Sequence, residues 1–210
     1  MSLNSEKQFS RYSSNDYWAH RMQRVINNGS IIVYDDLLED KDYRKVFKEY
    51  FGSLDFFSQK NYLDVGVGFR NKIHNVLKDS GASIVNIDIS SDVVKYWQEK
   101  GEKALLSDAF HLPSANNYFD GIICTNLINT RTIEDVFDLS ELFQEFHRVI
   151  KDKGHFIQSH FGFCGSDMIV QEDQLGVLIN SGFDKIQCIE NQHNQNRISQ
   201  HGLSFIAEKN

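Results

Sequence analysis

From about residue 60 onward, short runs of β-branched residues alternate with stretches whose apolar positions recur at helical spacing. That alternation is the pattern of a parallel sheet with crossover helices. "YLDVG", residues 62–66, predicts a first strand, and Ile73, Val76 and Leu77 predict a helix that Gly81 closes. "ASIVNIDIS" (82–90) predicts a second strand, with Ser90 or Ser91 capping a helix whose inner face is Val93, Val94 and Trp97 and which ends at Gly101. "KALLSD" (103–108) and "FDGIICTN" (119–126) predict the third and fourth strands. Apolar residues at 136, 139, 143, 146 and 150 form one helical stripe of about four turns, and "GHFIQSHF" (154–161) predicts a fifth strand after it. A last helix is predicted over Gln171–Ser181, followed by "FDKIQCIE" (183–190) and "GLSFIAEK" (202–209) with only a short polar segment between them. A parallel pair needs a longer crossover, so these last two strands are predicted to be antiparallel.

The implied fold class is α/β: a Rossmann-like, doubly wound, mostly parallel seven-stranded sheet with one antiparallel C-terminal strand and helices on both faces. No repeat, low-complexity tract or proline-rich linker divides the chain, so residues 1–210 are expected to form one domain, with a helical cap over 1–57 and a core over 58–210. Within the cap, Tyr43, Val46, Phe47, Tyr50 and Phe51 recur as an amphipathic helix. Ahead of it, "FSRYSSNDYWAHRMQRV" mixes Tyr12, Tyr17 and Trp18 with Arg11, Arg21 and Arg24. Two readings stay open for this region: helices packed on the sheet with solvated charges, or a lid over a binding site.

Composition narrows the class of partner. Against 29 Asp and Glu stand 22 Lys and Arg, a net charge of -7, which is the wrong sign for neutralising many phosphates and argues against nucleic acid. No apolar run approaches the ~20 residues of a membrane helix, and "MSLNSEKQFS" has no apolar signal core, so a cytoplasmic protein with no membrane partner is expected. Cys124, Cys164 and Cys188 are odd in number and far apart, which suggests neither a disulfide framework nor a zinc site.

The chemistry-bearing stretch is "NYLDVGVGFRN", where a strand runs into Gly66 and Gly68. Gly-x-Gly between strand and helix lets backbone approach a ligand and offers amide donors at a positive helix end. A dinucleotide pattern would need glycine at 71 and finds Asn71. Asp88, 20 residues past Gly68, stands where a carboxylate can accept from both ribose hydroxyls of an adenosine cofactor.

Taken together, "YLDVGVGFRN", "NIDIS", "SDAFHLPSANNYFDGIICTN" and "ELFQEFHRVIKDKGHFI" resemble a class I S-adenosylmethionine-dependent methyltransferase of the type 11-like group that acts on small molecules. The resemblance spans roughly residues 58–160 and agrees with the antiparallel ending. It implies that Asp64 orders the glycine loop near the cofactor's methionine part, with Gly66 and Gly68 as the loop itself. Asp88 would bind the ribose with Ile89 beside the adenine, and Asp108 would accept from the adenine amino group with Ala109 and Phe110 next to the ring. Asn126 and Leu127 would form the wall between cofactor and acceptor. Arg70 stands where the family has a third glycine, so it either meets the cofactor's carboxylate or obstructs the loop. Before Gly154, Asp152 and Lys153 replace the family's Pro-Gly in a turn that polar residues also make.

The reaction so implied moves the sulfonium methyl group of S-adenosylmethionine to a small-molecule nucleophile by direct in-line displacement, leaving S-adenosylhomocysteine. It needs alignment and water exclusion more than a dedicated base. If the acceptor must lose a proton, His160, His111 and Tyr17 are the candidates. The alternatives are a noncatalytic S-adenosylmethionine-binding or scaffold protein, should Arg70 block the loop, and a nicotinamide-dependent oxidoreductase. Tyr96 and Lys100 have the Tyr-x-x-x-Lys spacing of short-chain dehydrogenases but fall on the helix after the second strand, away from the chemistry-bearing strand ends. His155 and His160 point to opposite faces of a strand, and His193 and His201 have no ligand spacing, so no metal is expected.

Overall fold

The structure, a computed structural model, describes residues 40–69, 71–125, 127, 136–159, 171–188 and 205–210. Among them seven strands form one sheet: β1 (Asn61–Val65), β2 (Ser83–Asp88), β3 (Lys103–Leu106), β4 (Phe119–Thr125), β5 (Ile150–Ser159), β6 (Phe183–Cys188) and β7 (Phe205–Lys209). Their order is β3-β2-β1-β4-β5-β7-β6. Strands β1 to β5 pair in parallel, and β7 lies antiparallel to both β5 and β6, which is the single reversed strand the short final connection implies. The described helices are α1 (Asp40–Phe51), α2 (Lys72–Asp79), α3 (Ser91–Glu99), α4 (Val136–Val149) and α5 (Gln171–Asn180), with a 3-10 turn at Leu54–Phe57.

Alternation along the strands sorts the two faces. Tyr62, Ile84, Ile123 and Ile157 pack with Tyr43 and Phe47 of α1 and Ile73, Val76 and Leu77 of α2. Leu63, Val65, Ile122 and Phe156 point the other way, onto Leu139, Phe143 and Phe146 of α4 and Leu178 of α5. A third cluster joins Val67 and Ala104 to Val93, Val94 and Trp97, the inner face expected of α3. Each such fully buried apolar side chain contributes about 1.5–3 kcal/mol relative to exposure. The amphipathic helix at 40–51 packs on the sheet: Tyr43 and Phe47 are fully buried, and the Tyr43 hydroxyl meets Ser159 Oγ at 2.7 Å, while the stretch ahead of it, with its two readings, lies outside the described residues.

One boundary differs from its sequence pattern. β5 begins at Ile150, four residues before "GHFIQSHF", because Ile150 already pairs with Phe119 on leaving α4. The expected turn is a kink within the strand, marked by a register shift between Phe119 and Gly121 and by Lys153 at φ +63°. Gly154 follows as the residue that fits: a Cβ there would lie 2.5 Å from Ile150 Cγ2 and 2.8 Å from the carbonyl oxygens of Asp120 and Lys151.

Candidate functional site

In the order β3-β2-β1-β4-β5, the chain winds outward from β1 to β3 and then returns to place β4 on the other side of β1. Ligands of such sheets bind outside the carboxyl ends of the strands at this switch point. The loop after β1, the last residue of β2, the segment after β3 and Leu127 after β4 all meet there.

The glycine loop lies along β2, with the amides of Gly66 and Val67 both donating to the Ile87 carbonyl, at 2.8 and 3.2 Å. Gly66 and Gly68 have φ of +69° and +57°, backbone that side chains disfavour. At Gly66 a Cβ would come within 3.1 Å of Leu127 Cδ1, so Leu127 closes one side of the loop. At Gly68 a Cβ would meet nothing within 4 Å, so that side is open to an approaching ligand.

Asp88 ends β2 facing this loop. Its Oδ2 accepts from the Gly68 amide at 3.1 Å and its Oδ1 from the Ser90 amide at 2.9 Å, tying the loop to the start of α3. Burial raises its pKa, the Ser90 and Gly68 amides oppose that, and the Asp64 charge adds to it. Ile89 beside it is half-buried.

Asp88 pairs with Leu106, and the Ser107 amide donates to the Asp88 carbonyl at 3.1 Å, which brings Asp108 alongside. The half-exposed Asp108 accepts from the Phe110 amide at 3.0 Å and lies 3.5 Å from His111 Nδ1, while Ala109 and Phe110 pack into the core below. The following segment is clamped from α4. Glu145 Oε1 accepts from the Leu112 amide at 2.6 Å, and Arg148 donates to the carbonyls of Leu112 and Ser114 and to Asn116 Oδ1. Glu145 in turn holds the Arg148 guanidinium, raising its pKa.

Asp64 is fully buried beneath the loop and turned away from any ligand's reach. The Asn71 amide nitrogen donates to both of its oxygens at 2.9 Å, and His74 Nδ1 stands 3.2 Å from Oδ2. Desolvation pushes the Asp64 pKa up, against hydrogen bonds from His74 and Asn71. Asn71 also caps α2, its Oδ1 accepting from the His74 amide at 3.2 Å. Trp97 Nε1 donates to the Gly68 carbonyl at 2.6 Å. Asn71, His74 and the indole nitrogen of Trp97 carry structural work at this site that the sequence pattern did not assign. The one available signal was Asn71 itself, a favoured capping residue directly ahead of a helical stripe.

The structure therefore gathers Asp64, Gly66, Gly68, Asp88 and Leu127 about one loop, with Asp108 adjoining. Arg70, Asn126, His160 and Tyr17 lie outside the described residues, as do Cys164, His193 and His201. Lys100 Nζ sits 4.4 Å over the Tyr96 ring on α3, a cation-aromatic contact along the helix. Among the described residues no three or more His, Cys, Asp or Glu group to hold a metal, Cys124 and Cys188 are free thiols, and no helix is long and apolar enough to cross a membrane.

Residues 63–158 match the family model described as "Methyltransferase domain". An uncharacterized protein of Methanocaldococcus jannaschii is 33% identical over 104 residues, 49% of this chain, and the match spans only 42% of that relative. Among solved structures, the magnesium protoporphyrin IX methyltransferase of Synechocystis PCC 6803 with bound SAM superposes with a TM-score of 0.65 at 15% identity, covering 96% of this chain and 97% of that one. A SAM-dependent methyltransferase of Methanosarcina mazei gives 0.57 at 18% identity over 72% and 93% of the two chains. An S-adenosylmethionine-dependent methyltransferase of Clostridium acetobutylicum gives 0.60 at 14% over 92% and 98%. At these identities the structural likeness is one of fold, in agreement with the sheet order above.

Proposed function

We propose that this chain is a class I S-adenosylmethionine-dependent methyltransferase that methylates a small-molecule nucleophile, a reading supported by the match of residues 63–158 to the methyltransferase domain model and by the fold shared with solved S-adenosylmethionine-dependent methyltransferases. The observation that carries the cofactor reading is the Asp88 carboxylate at the switch point, bonded to the amide of a Gly68 whose other side is open. An adenosine fits that arrangement. Asp88 would hold the ribose hydroxyls with Ile89 beside the base, and Asp108 would receive the adenine amino group. Gly66 and Gly68 would pass close to the methionine part, Leu127 would wall it, and Asp64 would act from beneath through Asn71. S-adenosylmethionine, when bound, supplies a methyl group already activated by a cationic sulfur, transferred in line with the leaving sulfur.

The chain's own contribution is alignment and exclusion of water. Buried Leu112, Phe110 and the clamp from Glu145 and Arg148 keep the base-binding segment in place. At the ends of β4 and β5, Thr125 and Ser159 are register partners, and the buried Tyr43 hydroxyl braces Ser159 from α1. His111 is the described candidate for taking a proton, beside His160 and Tyr17, and residues 1–30 are proposed to close over the site as part of a cap on a single domain. A net charge of -7 supports a small molecule over nucleic acid, and a cytoplasmic setting is part of the same proposal. The nicotinamide alternative draws no support, since position 71 is a capping asparagine bonded to Asp64.

The test is acceptor-dependent turnover. Purified protein is incubated with S-adenosylmethionine carrying a labelled methyl group and a panel of small phenols, alcohols, amines and thiols, and S-adenosylhomocysteine is followed by mass spectrometry. Label transfer to one class above a heat-denatured control is the expected result. Bound S-adenosylmethionine with no transfer to any small-molecule fraction, cell extract included, would favour the noncatalytic reading.

A further inference from the structure

The residues beneath the loop do more than fill space. Asp64, Asn71 and His74 form a closed hydrogen-bonded set inside the protein, with His74 and Asp64 both buried. The His74 ring lies 4.8 Å from the Trp97 ring, and Trp97 holds the Gly68 carbonyl at 2.6 Å. A continuous path of contacts therefore runs from the acid at the end of β1, through an imidazole, to the second loop glycine.

His74 Nε2 is buried and has no hydrogen-bond partner among the described residues. Asn86, the register partner of Asp64 on β2 and likewise fully buried, leaves both its amide nitrogen and its amide oxygen unpaired among the described residues. Unpaired buried polar atoms are costly, and an apolar ring would pack against Trp97 without that cost. The property that an apolar ring lacks is the Nδ1 contact to Asp64 and the proton it can share there.

We propose that His74 is a positioning residue for the cofactor loop: by sharing one proton with Asp64 it fixes the carboxylate that orients Asn71, and its ring supports the indole that holds Gly68. Among the described residues, the ionisable groups that feel the Asp64 charge are Asp88 at the end of β2 and the Cys124 thiol on β4, both pushed toward their protonated forms. α3 presents the indole of Trp97, and α1 presents the Tyr43 hydroxyl, which is engaged with Ser159. The loop geometry then follows the Asp64–His74 contact, and cofactor affinity follows the loop. Only this last link rests on the methyltransferase reading.

Two variants separate positioning from packing. His74→Asn keeps an N–H donor near the Nδ1 position and cannot take up a proton, whereas His74→Phe keeps the ring and removes the donor. S-adenosylhomocysteine affinity is measured by calorimetry, and the Gly68 amide of the ligand-free proteins is followed by 15N NMR. His74→Asn should bind within about threefold of the parent and keep its Gly68 amide shift, and His74→Phe should bind about tenfold more weakly with that amide displaced. Parental affinity together with a parental Gly68 shift in His74→Phe would overturn the proposal. If the parent binds no S-adenosylhomocysteine, the cofactor reading fails and the Gly68 amide alone decides: displacement in His74→Phe but not in His74→Asn supports positioning, and an amide indifferent to both substitutions refutes it.

Discussion

Replacing Asp88 tests the ribose assignment and the local architecture at once. Its two oxygens accept from the Gly68 and Ser90 amides at 3.1 and 2.9 Å, so Asp88→Ala frees one donor in the glycine loop and one at the start of α3. Hydrogen bonds to a charged acceptor are worth about 1.5–3 kcal/mol each, and relief of the carboxylate's burial, which raises its pKa, offsets part of that. A net stability loss of about 1–2 kcal/mol is expected, small enough to leave a folded protein. Binding should suffer more, because the same carboxylate would accept from both ribose hydroxyls. Losing those charge-assisted bonds should cost roughly 1.5–3 kcal/mol, or about 10- to 150-fold in S-adenosylhomocysteine affinity. Asp88→Asn, which keeps one carbonyl acceptor, should fall between parent and alanine variant in both measurements. Calorimetric titration gives the affinity, and urea denaturation of the same preparations gives the stability. An Asp88→Ala protein that is folded and binds S-adenosylhomocysteine within about twofold of the parent would refute the reasoning.

Two further outcomes follow from residues away from the crevice. His155 is buried among the rings of Tyr50, Phe51 and Phe56 and 3.8 Å from Glu208, and burial lowers its pKa from 6.5 to about 4. Between those values the unfolded chain holds a proton the folded one lacks, so stability should fall by about 3 kcal/mol as pH drops from roughly 6.5 to 4. His155→Gln should remove most of that slope in denaturation curves, and an unchanged slope would contradict it. Gly154→Ala would place a methyl group 2.5 Å from Ile150 Cγ2 and 2.8 Å from two carbonyl oxygens, so a loss of about 2–3 kcal/mol is expected by urea denaturation, and a loss under about 0.5 kcal/mol would show that the bend relaxes freely.

The strands were legible because their alternation is intact: Tyr62 and Asp64 face α1 and α2, while Leu63 and Val65 face α4. The reversed β7 was legible from the sequence pattern, since only residues 191–201 separate "FDKIQCIE" from "GLSFIAEK", short of the dozen or more that a parallel crossover needs. The start of β5 was not legible, because a register shift at Phe119/Gly121 lets Ile150 pair before any period-2 pattern begins. At the site, Gly66, Gly68 and Asp88 stood out through spacing, and the structure puts them in contact. Asn71 read as a missing glycine, although its side chain both caps α2 and donates to Asp64. His74 was silent, because its partnership depends on how α2 is rotated over β1. The clamp of Glu145 and Arg148 on residues 112–116 joins positions more than 30 apart, which no local pattern encodes.

Equilibrium binding of S-adenosylhomocysteine to the unmodified protein tests the central claim most directly, with reduced nicotinamide dinucleotide as the control ligand. Calorimetry should give one S-adenosylhomocysteine per chain and no heat with the dinucleotide. Saturable binding of the dinucleotide with none of S-adenosylhomocysteine would contradict the account, because the pocket beside Asp88 and Gly68 would then not be that of a methyltransferase.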